Sequence, residues 1–443
     1  MAIDSHVQSD TGKTVKTAGG MIGGKQIDDL SVFLGIPYAA PPIGPLRWQP
    51  PQRPQSWDGV KPCLKFGPGC PQLESPTGHG IPWDGTDEDC LSLNVWTPAK
   101  SPDEKLPVMV WVHGGAFVSG GSSLHLYNGT NLSKKGVVVV TINYRLGPFG
   151  FLFGNFALMD QIAALKWVQQ NISAFGGDPD CVTIFGESAG AFCILRLLIS
   201  PAAKGLFQRA IAESGGYYGN RFWHPSLTSA NTSAENAAIK IAKVFGCEEK
   251  KDIMECLRKK SAKDILEAAP PGIAFHSQKT PFGPVIDGAI IPKDPALLYN
   301  SGKQHDVPLI IGTNADEGNM FLQKFRRPVR PVLNKLVTAL NFASPAKHIA
   351  NCYKNKSAKA YLYRFTHIPP TPLGKKLGAH HGAEINYVFG NLDPAEGFKS
   401  KDRDLSNTIM ERWINFAATG DPNIKWAPVW TDYSRSSGRP FGL

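Results

Sequence analysis

Between a β-rich apolar run, Cys181 to Phe185, and an apolar helical run, Ala191 to Ile199, the chain leaves only Gly186-Glu187-Ser188-Ala189-Gly190. A strand that reverses into a helix in so few residues crowds its own backbone, so the positions around the serine must lack bulk. The same turn lifts the Ser188 hydroxyl clear at the start of a helix. A bare G-x-S-x-G arises by chance, and its place between a strand and a helix is what gives it meaning. Other segments repeat the plan. Leu106 to Val112 is an apolar run ending at His113-Gly114-Gly115, and Val137 to Asn143 ends near Gly147 and Gly150. A helical stretch from Asp160 to Ile172 carries Ile162, Leu165, Val168 and Ile172 on one stripe. Pro308 to Gly312 and Ala360 to Phe365 read as two more buried strands. Continuous apolar strands alternating with helices predict a doubly wound α/β architecture, a mostly parallel sheet covered on both faces.

Composition narrows the rest. With 42% apolar residues the 443-residue chain can bury a large core, which rules out wholesale disorder. Its apolar runs fall far short of the roughly 20 residues that a membrane span needs. No leader-like pattern of a basic segment followed by an apolar one opens the sequence. The formal charge is +10. The cations come in scattered small groups with no nucleic-acid-binding motif, so a solvated basic surface is expected and no nucleic-acid partner. None of the eight cysteines forms a C-x-x-C pair, which argues against zinc ribbons and thioredoxin-type sites. No repeat or linker divides the chain, so residues 1–443 are expected to form one catalytic domain, with 1–20 as an N-terminal arm. Two charged, helix-forming stretches lack the strand rhythm, about 228–268 and 319–353. They are expected to be helical insertions over the carboxyl ends of the strands, where open α/β sheets bind ligands.

A serine hydroxyl is a poor nucleophile and needs a base, which is itself oriented by an acid. Where the nucleophile sits on such a strand–serine–helix elbow, the chain order is serine, acid, histidine. Downstream of Ser188, Glu317 falls just after the run Pro308 to Gly312, in G-T-N-A-D-E-G, and His381 falls in G-A-H-H-G-A-E. Asp316 and His380 are their neighbours, and spacing alone does not exclude them. His113-Gly114-Gly115-Ala116-Phe117 directly follows a strand. Its small residues allow backbone N–H groups to converge on one developing negative charge.

Together these segments resemble the type-B carboxylesterases and cholinesterases. The likeness runs through F-L-G-I-P-Y-A-A-P-P-I-G-P-L-R-W (Phe33 to Trp48), E-D-C-L-S-L-N-V-W-T-P (Glu88 to Pro98), W-V-H-G-G-A-F (Trp111 to Phe117), N-Y-R-L-G-P-F-G-F-L (Asn143 to Leu152) and F-G-E-S-A-G-A (Phe185 to Ala191). It extends from about Gly23 to Tyr433.

The resemblance implies the α/β-hydrolase fold and hydrolysis of carboxylic esters through an acyl-enzyme. It implies Ser188 as nucleophile, Glu317 as acid and His381 as base, with oxyanion donors at Gly115, Ala116 and Ala189. It implies no metal and no cofactor, and a small-molecule ester as partner. It also implies disulfides Cys70–Cys90 and Cys247–Cys256, and a structural ion pair between Arg47 and Glu88. Positions where cholinesterases carry aromatic groups hold Gln278, Thr280 and Met320, and Trp83 gives no firm match, so a general carboxylesterase is the better expectation. The G-G-A-F loop resembles that of members accepting bulky, even tertiary, alcohols. A lipase for longer-chain esters and a non-catalytic binding protein of the same fold are the alternatives. Against the family pattern, the segment Asn319 to Lys347 is abbreviated. The compartment stays open, since candidate disulfides favour an oxidising one and the absent leader the cytosol.

Overall fold

A computed structural model describes residues 12–73, 85–216, 234–248, 252–270, 282–325, 328–435 and 438–443. A small three-stranded sheet pairs β1 (Thr14–Thr17), β2 (Gly20–Gly23) and β5 (Val60–Pro62). The large sheet has ten strands. Three form its antiparallel edge: β3 (Lys25–Ile27), β4 (Leu30–Pro37) and β6 (Ser92–Thr97). Seven run parallel: β7 (Leu106–Val112), β8 (Val138–Ile142), β9 (Gly177–Glu187), β10 (Arg209–Glu213), β11 (Leu309–Asn314), β12 (Ala360–Phe365) and β13 (Phe441–Gly442). The spatial order is β13-β12-β11-β10-β9-β7-β8-β6-β4-β3. The expected mostly parallel sheet is therefore present, and the two runs Leu106–Val112 and Ala360–Phe365 are strands over their full predicted lengths.

Strand β7 shows why its apolar run is continuous. Alternate side chains of a strand face opposite sides, and both sides are covered here. Val108, Val110 and Val112 pack with Ile162, Leu165 and Val168 of the helix Phe156–Asn171. Met109 and Trp111 enter a second core on the other face, with Ile409, Trp413 and Phe416 of the helix Ser400–Thr419. Trp111 meets the rings of Phe185 and Phe389 at 4.8 and 5.0 Å. Each such fully buried side chain contributes roughly 1.5–3 kcal/mol relative to exposure.

The serine turn is tighter than the sequence suggests. β9 continues through Glu187 and a helix, Ala189–Leu197, begins one residue after Ser188, so a single residue makes the reversal. The glycines permit it. A Cβ on Gly190 would stand 1.9 Å from the Val112 carbonyl oxygen, and one on Gly186 2.4 Å from the same atom.

The stretch 228–268 is helical where it is described, over Ala234–Val244, Ile253–Arg258 and Ala262–Ala268. Cys247 and Cys256 are bonded and join the first two of these helices. The second expected bridge is corrected: Cys70 and Cys90 are free thiols. Both are buried, and the neighbouring Cys70 together with burial pushes the Cys90 thiol well up. The Cys70 sulfur is held as the acceptor of the Leu146 N–H at 3.0 Å. Much of the loop joining the pair, residues 74–84, lies outside the described residues. Arg47 and Glu88 form a two-pronged pair at 2.7 and 2.5 Å, and Arg47 also donates to the Lys260 carbonyl, tying the first loop to the helical insertion. The stretch 319–353 contains a continuous helical rod: Arg330–Thr338, one π turn at Ala339–Ala343, and Ser344–Asn351. Among the described residues no helix is long and apolar enough to cross a membrane.

Candidate active site

Ser188 sits at φ 53°, ψ −123°, a backbone conformation rare for a side-chain-bearing residue. Such outliers cost of order 1–3 kcal/mol and persist only when the surroundings hold them. Here β10 supplies the hold, because the Ser188 N–H donates to the Glu213 carbonyl at 2.9 Å. The strain aims the hydroxyl across the ends of the strands at a histidine. His381 Nε2 lies 2.7 Å from Ser188 Oγ, and His381 Nδ1 lies 2.6 Å from Glu317 Oε2. Glu317 is fully buried, and its other oxygen accepts the Asn314 N–H at 2.7 Å. The sheet thus brings together residues 188, 317 and 381, as the sequence expectation has them.

The competing neighbours do other work. Asp316 accepts the Ala379 N–H at 3.1 Å and the Asn334 side-chain amide at 3.0 Å, bracing the loop that carries the histidine. His380 turns its Nδ1 to the His381 carbonyl at 2.9 Å.

Gly115, Ala116 and Phe117 all have positive φ, at 110°, 54° and 65°. Gly115 has no alternative, since a Cβ there would lie 1.9 Å from the Ser119 carbonyl oxygen. The turn is closed by the N–H groups of Val118 and Ser119, both donating to Gly115 O. Ala189, the first residue of its helix, leaves its N–H without an intrahelical partner. Helix starts favour anions for that reason.

Several residues of the site were not singled out from sequence. Glu187 is buried, and its Oε1 is 3.1 Å from His381 Nε2. Glu384 is buried too, and binds the Asn314 amide at 2.5 Å and the Ser214 hydroxyl at 3.3 Å. Asn314 also donates to the His380 carbonyl at 2.7 Å, so one amide fixes both the acid's loop and the histidine's loop. Phe321 and Phe342 each lie 5.1 Å from the His381 ring. The signal for Glu187 and Glu384 was present, since both stand inside the motifs already read, G-E-S-A-G and H-H-G-A-E.

These carboxyls set the electrostatics. Burial pushes Glu187 up to about 8, against the pull of His381. Burial and the charge of Glu317 push Glu384 up to about 7. Burial alone would lower His381, but the charges of Glu187 and Glu317 outweigh it and raise it to about 9. A buried imidazolium is thereby stabilised by its surroundings, which is what a base needs at the moment it takes a proton. Among the described residues no group of histidines, cysteines and carboxylates is arranged to hold a metal ion. Gln278, Thr280 and Trp83 lie outside the described residues, while Met320 is half-buried beside the acid.

The chain matches the Carboxylesterase family over residues 11–330 and 323–441. It is 37% identical to the para-nitrobenzyl esterase of Bacillus subtilis (strain 168), covering 96% of this chain and 93% of that protein. It is 34% identical to carboxylesterase 4A of Bos taurus, over 94% of this chain and 88% of that one. Fumonisin B1 esterase of Sphingopyxis macrogoltabida is 35% identical, over 98% and 87%. A solved PNB esterase structure superposes with a TM-score of 0.83 at 36% identity, over 95% of this chain and 93% of its own. Relatives of that similarity over that length are carboxylesterases of the α/β-hydrolase fold, and their substrates are small-molecule esters. The chain belongs to the carboxylesterase family and is a carboxylic ester hydrolase, a serine carboxylesterase.

Proposed function

We propose that Ser188, His381 and Glu317 carry the ester hydrolysis as nucleophile, general base and orienting acid. The observation that carries this reading is the unbroken chain of contacts from Ser188 Oγ through His381 to Glu317, at 2.7 and 2.6 Å. Ser188 attacks the ester carbonyl as His381 Nε2 takes its proton, and Glu317 holds the imidazole so that Nε2 faces the serine. The N–H groups of Gly115, Ala116 and Ala189 receive the oxyanion, each such donor being worth about 2.7–4 kcal/mol in the transition state. His381 returns the proton to the leaving alcohol, and water repeats the sequence on the acyl-enzyme. The chain acts as one catalytic unit, with its helical stretches walling the mouth of the site.

The substrate class is a general small ester. The name para-nitrobenzyl esterase points to benzylic esters among those accepted by that relative, and the G-G-A-F loop suits bulky alcohols. Hydrolysis of p-nitrophenyl acetate, butyrate and palmitate by wild type and Ser188→Ala tests the reading. Fast turnover of the short esters is expected, falling by about 10⁴-fold or more in the variant. Equal turnover by folded variant and wild type would remove Ser188 from the mechanism. Preference for emulsified palmitate would make the protein a lipase.

A further inference from the structure

The cations that look scattered in small groups share a property visible only when the acids are counted too. From Gly318 to Ala383 the sequence has twelve Lys and Arg residues and not one Asp or Glu. The whole chain carries +10 and this stretch +12, so everything else sums to −2. Ten of the twelve are described, all but Arg326 and Arg327, and none of the ten is ion-paired among the described residues. The basic character of the protein is that of one segment.

The same segment is unusually apolar on its outside. It is about a seventh of the chain, yet it holds seven of the fourteen large apolar side chains exposed among the described residues. Four of them, Val329, Val332, Leu336 and Leu340, are spaced three and four apart along the rod that starts at Arg330, and so form one stripe. Their exposures are 50, 70, 52 and 58%. Scattered apolar residues on a surface need no explanation, but a continuous stripe does. Beside it runs the row Lys335, Ala339, Ala343, which lines a cavity of about 430 Å³. Lys347 and Arg364 line the same cavity and no carboxylate does. On the inner side of this rod Phe342 packs against His381.

We propose that this face docks on an anionic phospholipid surface. The stripe enters the boundary between headgroups and acyl chains, Arg330 and Lys335 of the same rod meet the lipid phosphates, and the cavity at Lys335, Lys347 and Arg364 seats a headgroup. An amphipathic helix with a basic polar face and an exposed apolar stripe has this chemistry. Acidic protein surfaces match the charge but leave the stripe unexplained. The inference does not depend on the catalytic roles proposed above, and Ser188→Ala is expected to bind like wild type.

The test is co-sedimentation of the full chain with phosphatidylglycerol vesicles and with phosphatidylcholine vesicles. Binding is expected to the former, weaker by tenfold or more on the latter, and lost as salt rises from 0.02 to 0.5 M. Arg330→Gln with Lys335→Gln should lower the partition about fivefold per cation removed. Val332→Ser with Leu336→Ser should lower it at unchanged charge. None of the four substituted residues is buried, and both double variants should keep wild-type hydrolysis of p-nitrophenyl acetate, which shows that they fold. Absence of vesicle binding, or equal binding to both lipids, would overturn the proposal. So would a dimer that the Val332/Leu336 variant dissociates, equal competition by duplex DNA or polyglutamate that ignores the stripe, or binding of inorganic phosphate without vesicle binding.

Discussion

His381 stands between two carboxylates with different consequences. Glu317 lies on Nδ1; Glu187 lies 3.1 Å from Nε2, the nitrogen that accepts the serine proton in the proposed mechanism. Both charges favour the imidazolium and raise His381 to about 9. The proposed base works only when neutral, so activity is expected to fall along an acid limb as the pH drops through the His381 pKa. Replacing Glu187 by Gln removes a charge that favours the protonated ring. The His381 pKa must then fall, and the limb must move to lower pH. A pH profile of kcat/KM on a soluble ester measures this, and an unmoved limb would mean that Glu187 does not act on His381. The three residues of the proposed triad could be singled out in the sequence because each sits in a motif with glycines beside it. Asn314 and Ser214 were not, because they stand at the ends of β11 and β10 and acquire meaning only when the parallel sheet brings those ends together.

At the scale of elements, the turn between β9 and its helix depends on β7, which passes beneath it. Gly190→Ala forces a methyl group to 1.9 Å from the Val112 carbonyl. Overpacking of this kind costs about 1–3 kcal/mol. Gly442→Ala meets nothing within 4 Å and is the control expected near zero. Urea unfolding midpoints of the two variants decide this, and equal stability would show that β7 does not constrain the turn. The insertion that contains Cys247 and Cys256 has a fastening of its own. Their bond spans a separation of nine residues, a loop worth about 2–3 kcal/mol by chain entropy. Cys256→Ser should lower stability by that amount, and a reductant should lower wild type but not the variant. A reductant effect that persists in the variant would place the sensitive bond elsewhere. Strands β7, β8, β9, β11 and β12 were legible because burial on both faces makes apolar runs continuous, whereas β10 (Arg209–Glu213) was not read. The missing Cys70–Cys90 bond was not, since a matching pair of cysteines in sequence does not state whether the bond has formed.

Across the whole molecule, charge and chemistry are arranged together. The acid-free segment begins one residue after Glu317 and ends two residues after His381. Its inner side supplies Phe321 and Phe342 to the histidine, while the same rod carries the exposed apolar stripe, with Lys335, Lys347 and Arg364 around the neighbouring cavity. Every positive group was visible in the sequence; what hid the pattern was the absence of acids, which no single residue displays. Ester hydrolysis by the proposed mechanism requires Ser188 to be the nucleophile. Incubation with a dialkyl p-nitrophenyl phosphate tests this most directly, because phosphorylation of the serine stops at the covalent stage. One equivalent of p-nitrophenol per chain, activity lost in step, and a dialkylphosphoryl mass on the peptide containing Ser188 are the predicted result. Retained activity without a label, or a label on another residue that accounts for the lost activity, would contradict it.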